Sequence, residues 1–141
     1  MGDTLCDFRL QDQFGDEVSL WQFWGDVVLV DISTIWCGPC QELAASTQAT
    51  FEHFEDDGFM YLTIIQQDVE GNPPKQVDVV EWAEAFGIEA PVLGDGDEVV
   101  AAVRQNQFPA LLLLDRKMKV HERVTPPDAG VVDAAIEDLL K

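Results

Sequence analysis

Two cysteines lie three positions apart in the sequence WCGPC, residues 36–40, where Gly38 and Pro39 separate Cys37 from Cys40. The apolar run VVLV precedes the motif and helical spacing follows it, so we expect the pair where a buried strand ends and a helix begins. Backbone N–H groups and the helix dipole stabilise an anion there, which favours a thiolate at Cys37, expected to be the more accessible sulfur. Such a dithiol can attack a disulfide through Cys37 and release the mixed disulfide through Cys40.

A lone carboxyl, Asp31, lies inside the apolar sequence VVLVDIST, six residues before Cys37. So apolar a run is typical of a strand covered on both faces, although the side chain could also reach water at a sheet edge. If the carboxyl is buried, desolvation disfavours its charged form and raises its pKa. A carboxyl with a pKa nearer neutrality can accept the Cys40 proton while a mixed disulfide is resolved, so Asp31 is a candidate catalytic residue.

Other uses of a cysteine pair fit this chain less well. A zinc site needs four ligands, and the remaining soft candidates, Cys6, His53 and His121, are scattered instead of forming a second ligand pair. A structural disulfide with this spacing would close a very small loop and restrain little of the unfolded chain. We therefore expect no metal and no organic cofactor, with both histidines at the surface and Cys6 uninvolved.

Composition limits the class of partner. The chain has 141 residues, of which 47% are hydrophobic, and is expected to form one domain over residues 1–141. Its net charge of −19 repels phosphates and anionic lipids, which argues against binding to nucleic acid or to a membrane surface. No apolar run is long enough to span a membrane, and the first ten residues lack the basic and apolar regions of a signal peptide.

The elements that position the cysteines follow from the spacing of apolar and turn residues. Two short extended pieces about a turn at Gly15 are expected over residues 7–26. The remaining segments predict strands over 27–34, 59–68, 90–95, 108–115 and 119–124, and helices over 37–58, 77–87, 96–107 and the C-terminal end of 125–141. Strands alternating with helices indicate an α/β layered sheet, here finished by a hairpin.

The motif and its surroundings resemble a known group of proteins. WCGPC at the end of a strand is similar to the thioredoxin active site. Residues 7–43 resemble the opening of the TlpA/ResA-type thiol–disulfide oxidoreductases and of the related redoxin and AhpC/TSA proteins, and residues 79–103 resemble a segment that this group adds to plain thioredoxin. The resemblance implies a thioredoxin-like fold, a central mixed β-sheet flanked by helices, with an N-terminal extension and a mid-chain insertion.

The same resemblance implies roles for further residues. QFPALLLLD is similar to the strand whose cis-proline faces the active site, so the Phe108–Pro109 bond is expected to be cis, with the Phe108 backbone pairing with an extended client segment. Trp36 is expected to shield the dithiol and, with Gly38 and Pro39, to contact the substrate. Cys37 and Cys40 form the redox-active disulfide of this group, and thioredoxins have an acid where Asp31 stands.

A thiol peroxidase is the alternative enzyme. Thr34 lies three residues before Cys37 and matches part of the PxxxTxxC pattern of peroxiredoxins, but Val30 occupies the proline position. Arg104 or Arg116 could polarise a peroxide. Peroxide reduction needs one activated thiolate and does not require a second cysteine one turn along the helix. A non-catalytic binding module whose dithiol senses redox conditions is a further alternative.

The sequence therefore predicts a protein thiol–disulfide oxidoreductase. The Gly-Pro spacer resembles that of the reducing members, which favours a reductase over an oxidase. The implied partners are disulfide-bearing protein clients and an electron-donor thiol protein. The resemblance suggests an extracytoplasmic location, periplasmic or membrane-anchored with the leader removed, while the residues themselves leave a cytoplasmic location open.

Overall fold

The computed structural model describes residues 2–104 and 107–141. In chain order its elements are β1 (Arg9–Gln11), β2 (Glu17–Ser19), β3 (Val27–Thr34), α1 (Gly38–Phe54), β4 (Phe59–Gln67), α2 (Gln76–Phe86), β5 (Val92–Gly94), α3 (Ala101–Arg104), β6 (Ala110–Leu114), β7 (Val120–Arg123) and α4 (Ala129–Leu140). Short 3₁₀ turns occupy Leu20–Phe23 and Glu55–Asp57. No helix among these described residues is both long and apolar enough to cross a bilayer.

The seven strands form one mixed sheet in the order β2-β1-β5-β4-β3-β6-β7. Strands β3, β4 and β5 run parallel, whereas β6 is antiparallel to β3 and the hairpin β1–β2 joins the β5 edge in antiparallel fashion. The predicted fold class is confirmed, because the central sheet is mixed and helices flank it. The expected N-terminal extension is the β1–β2 hairpin, and the expected insertion supplies β5 and most of α2 and α3.

Strand β3 lies at the centre of the sheet between β4 and β6, and all eight of its residues are buried. Side chains alternate across a strand, so its two faces enter different halves of the core. Val27 and Leu29 pack with residues of α1, α2 and α4, whereas Val28 and Val30 pack against the N-terminal segment and the β5–α3 region. Asp31 has the parity of Leu29, and its side chain therefore points to the α1 side.

Helix α1 begins directly after the turn that ends β3 and buries one side against the sheet. Its buried residues recur at three- and four-residue intervals, as an amphipathic helix requires: Cys40, Leu43, Ala44, Thr47, Thr50, Phe51 and Phe54. The helix ends at Phe54, and a 3₁₀ turn leads to Gly58, whose φ of 84° lies in the left-handed region that suits glycine. The helix predicted over 37–58 is therefore four residues shorter at its C-terminal end.

The helix predicted over 96–107 is wrong in its first half. The buried carboxylate of Asp95 accepts hydrogen bonds from the N–H groups of Val99 and Val100, and Glu98 has a φ of 55°, so the chain turns before α3 can start at Ala101. A side chain that satisfies backbone N–H groups in this way favours a turn over a helix. Positions 105 and 106 of the predicted helix lie outside the described residues.

Candidate active site

Cys37 and Cys40 are joined by a disulfide at the start of α1, with their Cα atoms 5.2 Å apart. Cys37 is the N-cap residue of the helix, and its Sγ accepts a hydrogen bond from the backbone N–H of Cys40 at 3.2 Å. Gly38 and Pro39 open the helix, where the missing N–H of proline breaks no helical hydrogen bond. The N–H group and the helix dipole that meet Cys37 Sγ stabilise negative charge on this sulfur.

Both cysteines are buried, Cys40 completely and Cys37 to within 3% exposure. The order of exposure agrees with the expectation from the sequence, but the access expected for Cys37 is small. Trp36 lies beside the disulfide with 48% of its surface exposed, and its indole N–H donates to Gln67 Oε1 at 2.8 Å. A polypeptide that reaches Cys37 must therefore make close contact with this tryptophan.

The β6 end of the site is formed by Phe108 and Pro109. The bond between them is cis, as predicted, and Pro109 is buried. Ile32 pairs with Ala110, so Pro109 lies next to the end of β3 from which the motif follows. The Phe108 ring meets Trp36 edge to face at a centroid distance of 5.7 Å. The predicted substrate-binding residues Trp36 and Phe108 are thus in direct contact.

Asp31 is buried, with 2% of its surface exposed, so the alternative of a carboxyl that reaches water at a sheet edge is wrong. Ser33, two residues along the same face of β3, donates its hydroxyl to Asp31 Oδ1 at 2.6 Å. Burial raises the pKa of Asp31 from its ordinary value of 3.8 to about 7, and the hydroxyls of Ser33 and Tyr61 oppose this rise. Among the described residues the Tyr61 hydroxyl makes no well-formed hydrogen bond, so Ser33 is the main opposing group.

Tyr61 lies on β4 opposite Leu29 and is buried on the α1 side of the sheet. Burial and the nearby charge of Asp31 raise the pKa of Tyr61 well above 10. The tyrosine is therefore neutral at physiological pH, and Asp31 is the side chain on this face that changes its charge near neutrality. The disulfide supplies the groups for disulfide exchange, and Asp31 is buried on the α1 side of the same strand that leads to it.

Comparison with known proteins agrees with this geometry. The sequence profile of the AhpC/TSA family matches residues 1–123. The chain belongs to the AhpC/TSA family. Thioredoxin of Chlamydia muridarum is 31% identical over 111 residues, which cover 76% of this chain and 92% of that protein. With the Cys37–Cys40 disulfide, these similarities identify the chain as a thioredoxin-like thiol–disulfide oxidoreductase, as predicted.

More distant matches support the fold of this AhpC/TSA-family chain. The thioredoxin domain of a thiol-disulfide oxidoreductase from Bacteroides vulgatus superimposes with a TM-score of 0.84 at 20% identity, covering 99% of this chain and 97% of that one. Peroxidoxin BcpB of Mycobacterium tuberculosis gives a TM-score of 0.77 at 20% identity, covering 98% and 94%. The thioredoxin-like protein YneN of Bacillus subtilis is 22% identical, and the match covers 82% of this chain but only 66% of that protein.

Of the two arginines considered for a peroxide site, Arg116 lies far from Cys37, whereas Arg104 contacts Phe108. Arg116 donates to the carbonyl groups of Gly25, Asp57 and Gly58, next to the N-terminal end of β3. An eight-residue strand separates that end from the motif by about 23 Å. The Arg104 guanidinium lies over the Phe108 ring at 4.5 Å from its centroid.

The remaining candidates lie apart from the disulfide. Cys6 is a free, exposed thiol, and His53 and His121 are exposed, as expected for surface residues. His53 packs against the ring of Phe54. Within residues 2–104 and 107–141, no group of three or more His, Cys, Asp or Glu side chains is arranged to hold a metal ion.

Three residues of the site were not singled out by the sequence analysis. Ser33 could have been found, because residues two apart in a strand share a face and a hydroxyl there can reach the carboxyl of Asp31. Tyr61 and Gln67 depend on the pairing of β3 with β4, which no local pattern in the sequence specifies. Both lie in a strand whose apolar run otherwise predicts only core packing.

The raised pKa of Asp31 makes a prediction about stability. In the unfolded chain this carboxyl ionises near pH 3.8, and in the folded protein near pH 7. Between these two pH values Asp31 is protonated in the folded state and ionised in the unfolded state. The free energy of unfolding therefore falls as pH rises from 3.8 to 7, and above pH 7 the full cost of the buried carboxylate is present. Asp31→Asn keeps the shape of the side chain and removes the charge, and it should stabilise the oxidised protein at pH 8 by on the order of 2–4 kcal/mol.

Urea unfolding of the oxidised protein at pH 4, 6 and 8 measures this effect. The advantage of Asp31→Asn over wild type should shrink towards zero at pH 4. Asp56→Asn is the matched control, because Asp56 is exposed and the change in charge is the same. A difference between Asp31→Asn and wild type that does not vary with pH would show that the carboxyl is not desolvated in the folded protein.

Proposed function

We propose that the protein is a dithiol reductase of protein disulfides that works through a mixed-disulfide intermediate. The observation that carries this proposal is the asymmetry of the pair at the start of α1. Cys37 caps the helix and its Sγ accepts the Cys40 N–H, whereas Cys40 lies one turn inside and is completely buried. The first sulfur is stabilised as a thiolate, and the second is placed to react only with the first.

The reaction begins with the reduced dithiol. The Cys37 thiolate attacks one sulfur of the client disulfide, the client S–S bond breaks, and the other client sulfur leaves as a thiolate that takes a proton from water. The Cys40 thiol then gives its proton to the Asp31 carboxylate and attacks Cys37 Sγ. The mixed disulfide breaks, the second client thiolate leaves, and the Cys37–Cys40 disulfide forms, so two electrons have passed to the client.

The aromatic contact between Trp36 and Phe108 supports a docking place for the client next to Cys37. An extended client segment can pair with the backbone of Phe108 ahead of Pro109 while its side chains rest on Trp36 and on the Gly38–Pro39 turn. The partners are then a disulfide-bearing protein and an electron-donor thiol protein that reduces the Cys37–Cys40 disulfide again. The Gly-Pro spacer between the cysteines favours this reducing direction.

Peroxide reduction is the second candidate function, and one observation favours it. The Thr34 hydroxyl is buried three residues before Cys37 and has no hydrogen-bond partner among the described residues. A peroxide oxygen near Cys37 could use this hydroxyl. The position of Arg116, bonded to Gly25, does not support it as the guanidinium that would polarise the peroxide, and the Arg104 guanidinium lies over the Phe108 ring.

Insulin reduction with dithiothreitol as electron source separates the candidates. We expect the wild-type protein to accelerate insulin reduction well above the rate with dithiothreitol alone, and to consume hydrogen peroxide at no more than the rate of an ordinary exposed thiol. Faster turnover of peroxide than of insulin would contradict the proposed reductase and favour a peroxidase. If the protein turns over neither substrate, the result favours the non-catalytic module that senses redox conditions.

The roles of the two cysteines give a prediction of their own. Iodoacetamide at mildly acidic pH should label Cys37 first in the reduced protein, because its thiolate is stabilised at the N-cap. Cys40→Ser should trap clients as mixed disulfides on Cys37, whereas Cys37→Ser should trap none. Cys6→Ser is the control, since Cys6 is an exposed thiol outside the disulfide, and it should not change trapping. First labelling at Cys40 would reverse the assignment.

The role of Asp31 in resolution is tested by kinetics. Wild-type turnover should rise through about pH 7 as Asp31 ionises, because only the carboxylate can accept the Cys40 proton. Asp31→Asn should slow turnover at pH 7 by on the order of tenfold to a hundredfold and lose this rise, while the rate of Cys37 labelling stays close to that of wild type. If this variant turns over at the wild-type rate from pH 6 to 8, Asp31 has no role in proton transfer and is a structural residue.

A further inference from the structure

A groove of about 210 Å³ lies beside the disulfide, between the start of α1 and the inserted helix α2. We call it the α2 groove. Its walls include Ile35, Gln41, Asp78, Glu81, Trp82 and Phe86. Ile35 lies two residues before Cys37 and Gln41 lies one turn after it, so one wall is the segment that holds the attacking sulfur. The Gln41 side-chain amide donates to the Ile35 carbonyl at 2.8 Å and ties this wall together.

The floor of the α2 groove is apolar and its α2 rim is acidic. Trp82 and Phe86, one turn apart on α2, pack with ring centroids 4.9 Å apart. Asp78 and Glu81 are three residues apart and therefore share the same side of the helix. Asp78 is half-buried and accepts the N–H of Lys75, whereas Glu81 is exposed. No lysine, arginine or histidine is among the residues that line this part of the described structure.

The size of the groove limits its occupant. Pockets that hold whole cofactors or drug-sized ligands usually enclose about 300–1,000 Å³. A groove of about 210 Å³ is suited to a single large side chain, with the acidic rim left free for a neighbouring cationic group. Ile35 is two residues from Cys37, so a client held on Cys37 in a mixed disulfide and on Phe108 at one side can place a flanking residue at the Ile35 wall on the other.

We propose that the α2 groove binds the client segment that flanks the attacked cysteine, and that it selects clients with an apolar side chain followed by lysine or arginine. The inference rests on the proposed reductase function and adds its substrate class. The apolar side chain rests on Trp82 and Phe86, and the cation meets Glu81 and the free side of Asp78. The acidic rim attracts a cationic client and raises its association rate, and it repels an anionic client.

Two disulfide peptides that differ in one residue test the proposal. Each carries phenylalanine next to its disulfide cysteine, followed by lysine in one peptide and by glutamate in the other. At low salt, kcat/KM of wild type should be higher for the lysine peptide by about fivefold, and the preference should weaken as salt is added. Glu81→Lys should abolish or invert this preference.

Glu84→Lys is the matched control. Glu84 lies on the same helix, is exposed, and belongs to a different hollow with Gln13 and Ile88, while the substitution changes net charge equally. It should keep the preference of wild type. If both variants lose the preference equally, selectivity depends on overall charge and the proposal for the α2 groove is wrong. The proposal is also wrong if the wild-type protein turns over both peptides at the same rate.

The neutral substrate hydroxyethyl disulfide separates this inference from the function on which it rests. Wild type and Glu84→Lys should reduce it at the same rate, since it has neither the apolar side chain nor the cation. Reduction of this substrate without selectivity between the peptides overturns the groove and leaves the reductase standing. Failure of wild type to reduce any of the three substrates overturns the reductase itself.

Discussion

The burial of β3 on both faces and along both edges is the constraint on which the site depends. Hydrogen bonds to β4 and β6 occupy the two edges, and helices and the N-terminal segment cover the two faces. The pairing with β4 continues to Ile35, whose N–H donates to the Gln67 carbonyl, and the Thr34 carbonyl accepts the Cys37 N–H. The chain turns there, and the N–H groups of α1 meet Cys37. The reactive sulfur thus sits where the central strand stops, next to the cis bond of the neighbouring strand.

The same burial gives Asp31 its chemistry. A carboxyl on this strand has no path to water, and the lost hydration is only partly replaced by the Ser33 hydroxyl at 2.6 Å. An isolated buried carboxylate is costly, so the side chain ionises near neutral pH and not near pH 4. Apolar residues of similar volume would make the strand more stable. The presence of the acid on the side of the sheet that faces α1 is therefore not explained by stability, which supports the proposed proton transfer.

Much of this arrangement could be predicted from the sequence, because the decisive patterns are local. The uninterrupted run of apolar residues in VVLVDIST indicates a strand covered on both faces and hence a buried Asp31. The cis bond before Pro109 needed the resemblance to a family, since no local pattern separates it from an ordinary X-Pro bond. Long-range contacts were out of reach. Trp36 meets Phe108, 72 residues away along the chain, and Cys37 is more buried than predicted. The α2 groove depends in the same way on how α2 packs against the start of α1.

The acidity of the chain and the need for a thiolate at Cys37 are compatible because they act over different distances. A net charge of −19 opposes any further negative charge on the protein. Exposed charges are largely screened beyond about 8–10 Å in physiological salt, whereas the Cys40 N–H lies within hydrogen-bond distance of Cys37 Sγ. The first turn of α1 contains no acidic residue, so no carboxylate of that turn opposes the helix dipole at the sulfur. Local geometry therefore decides the ionisation of Cys37. The dispersed surface acids act instead on the client as it approaches the protein. The ionisation of the sulfur and the choice of client therefore depend on different groups of charges.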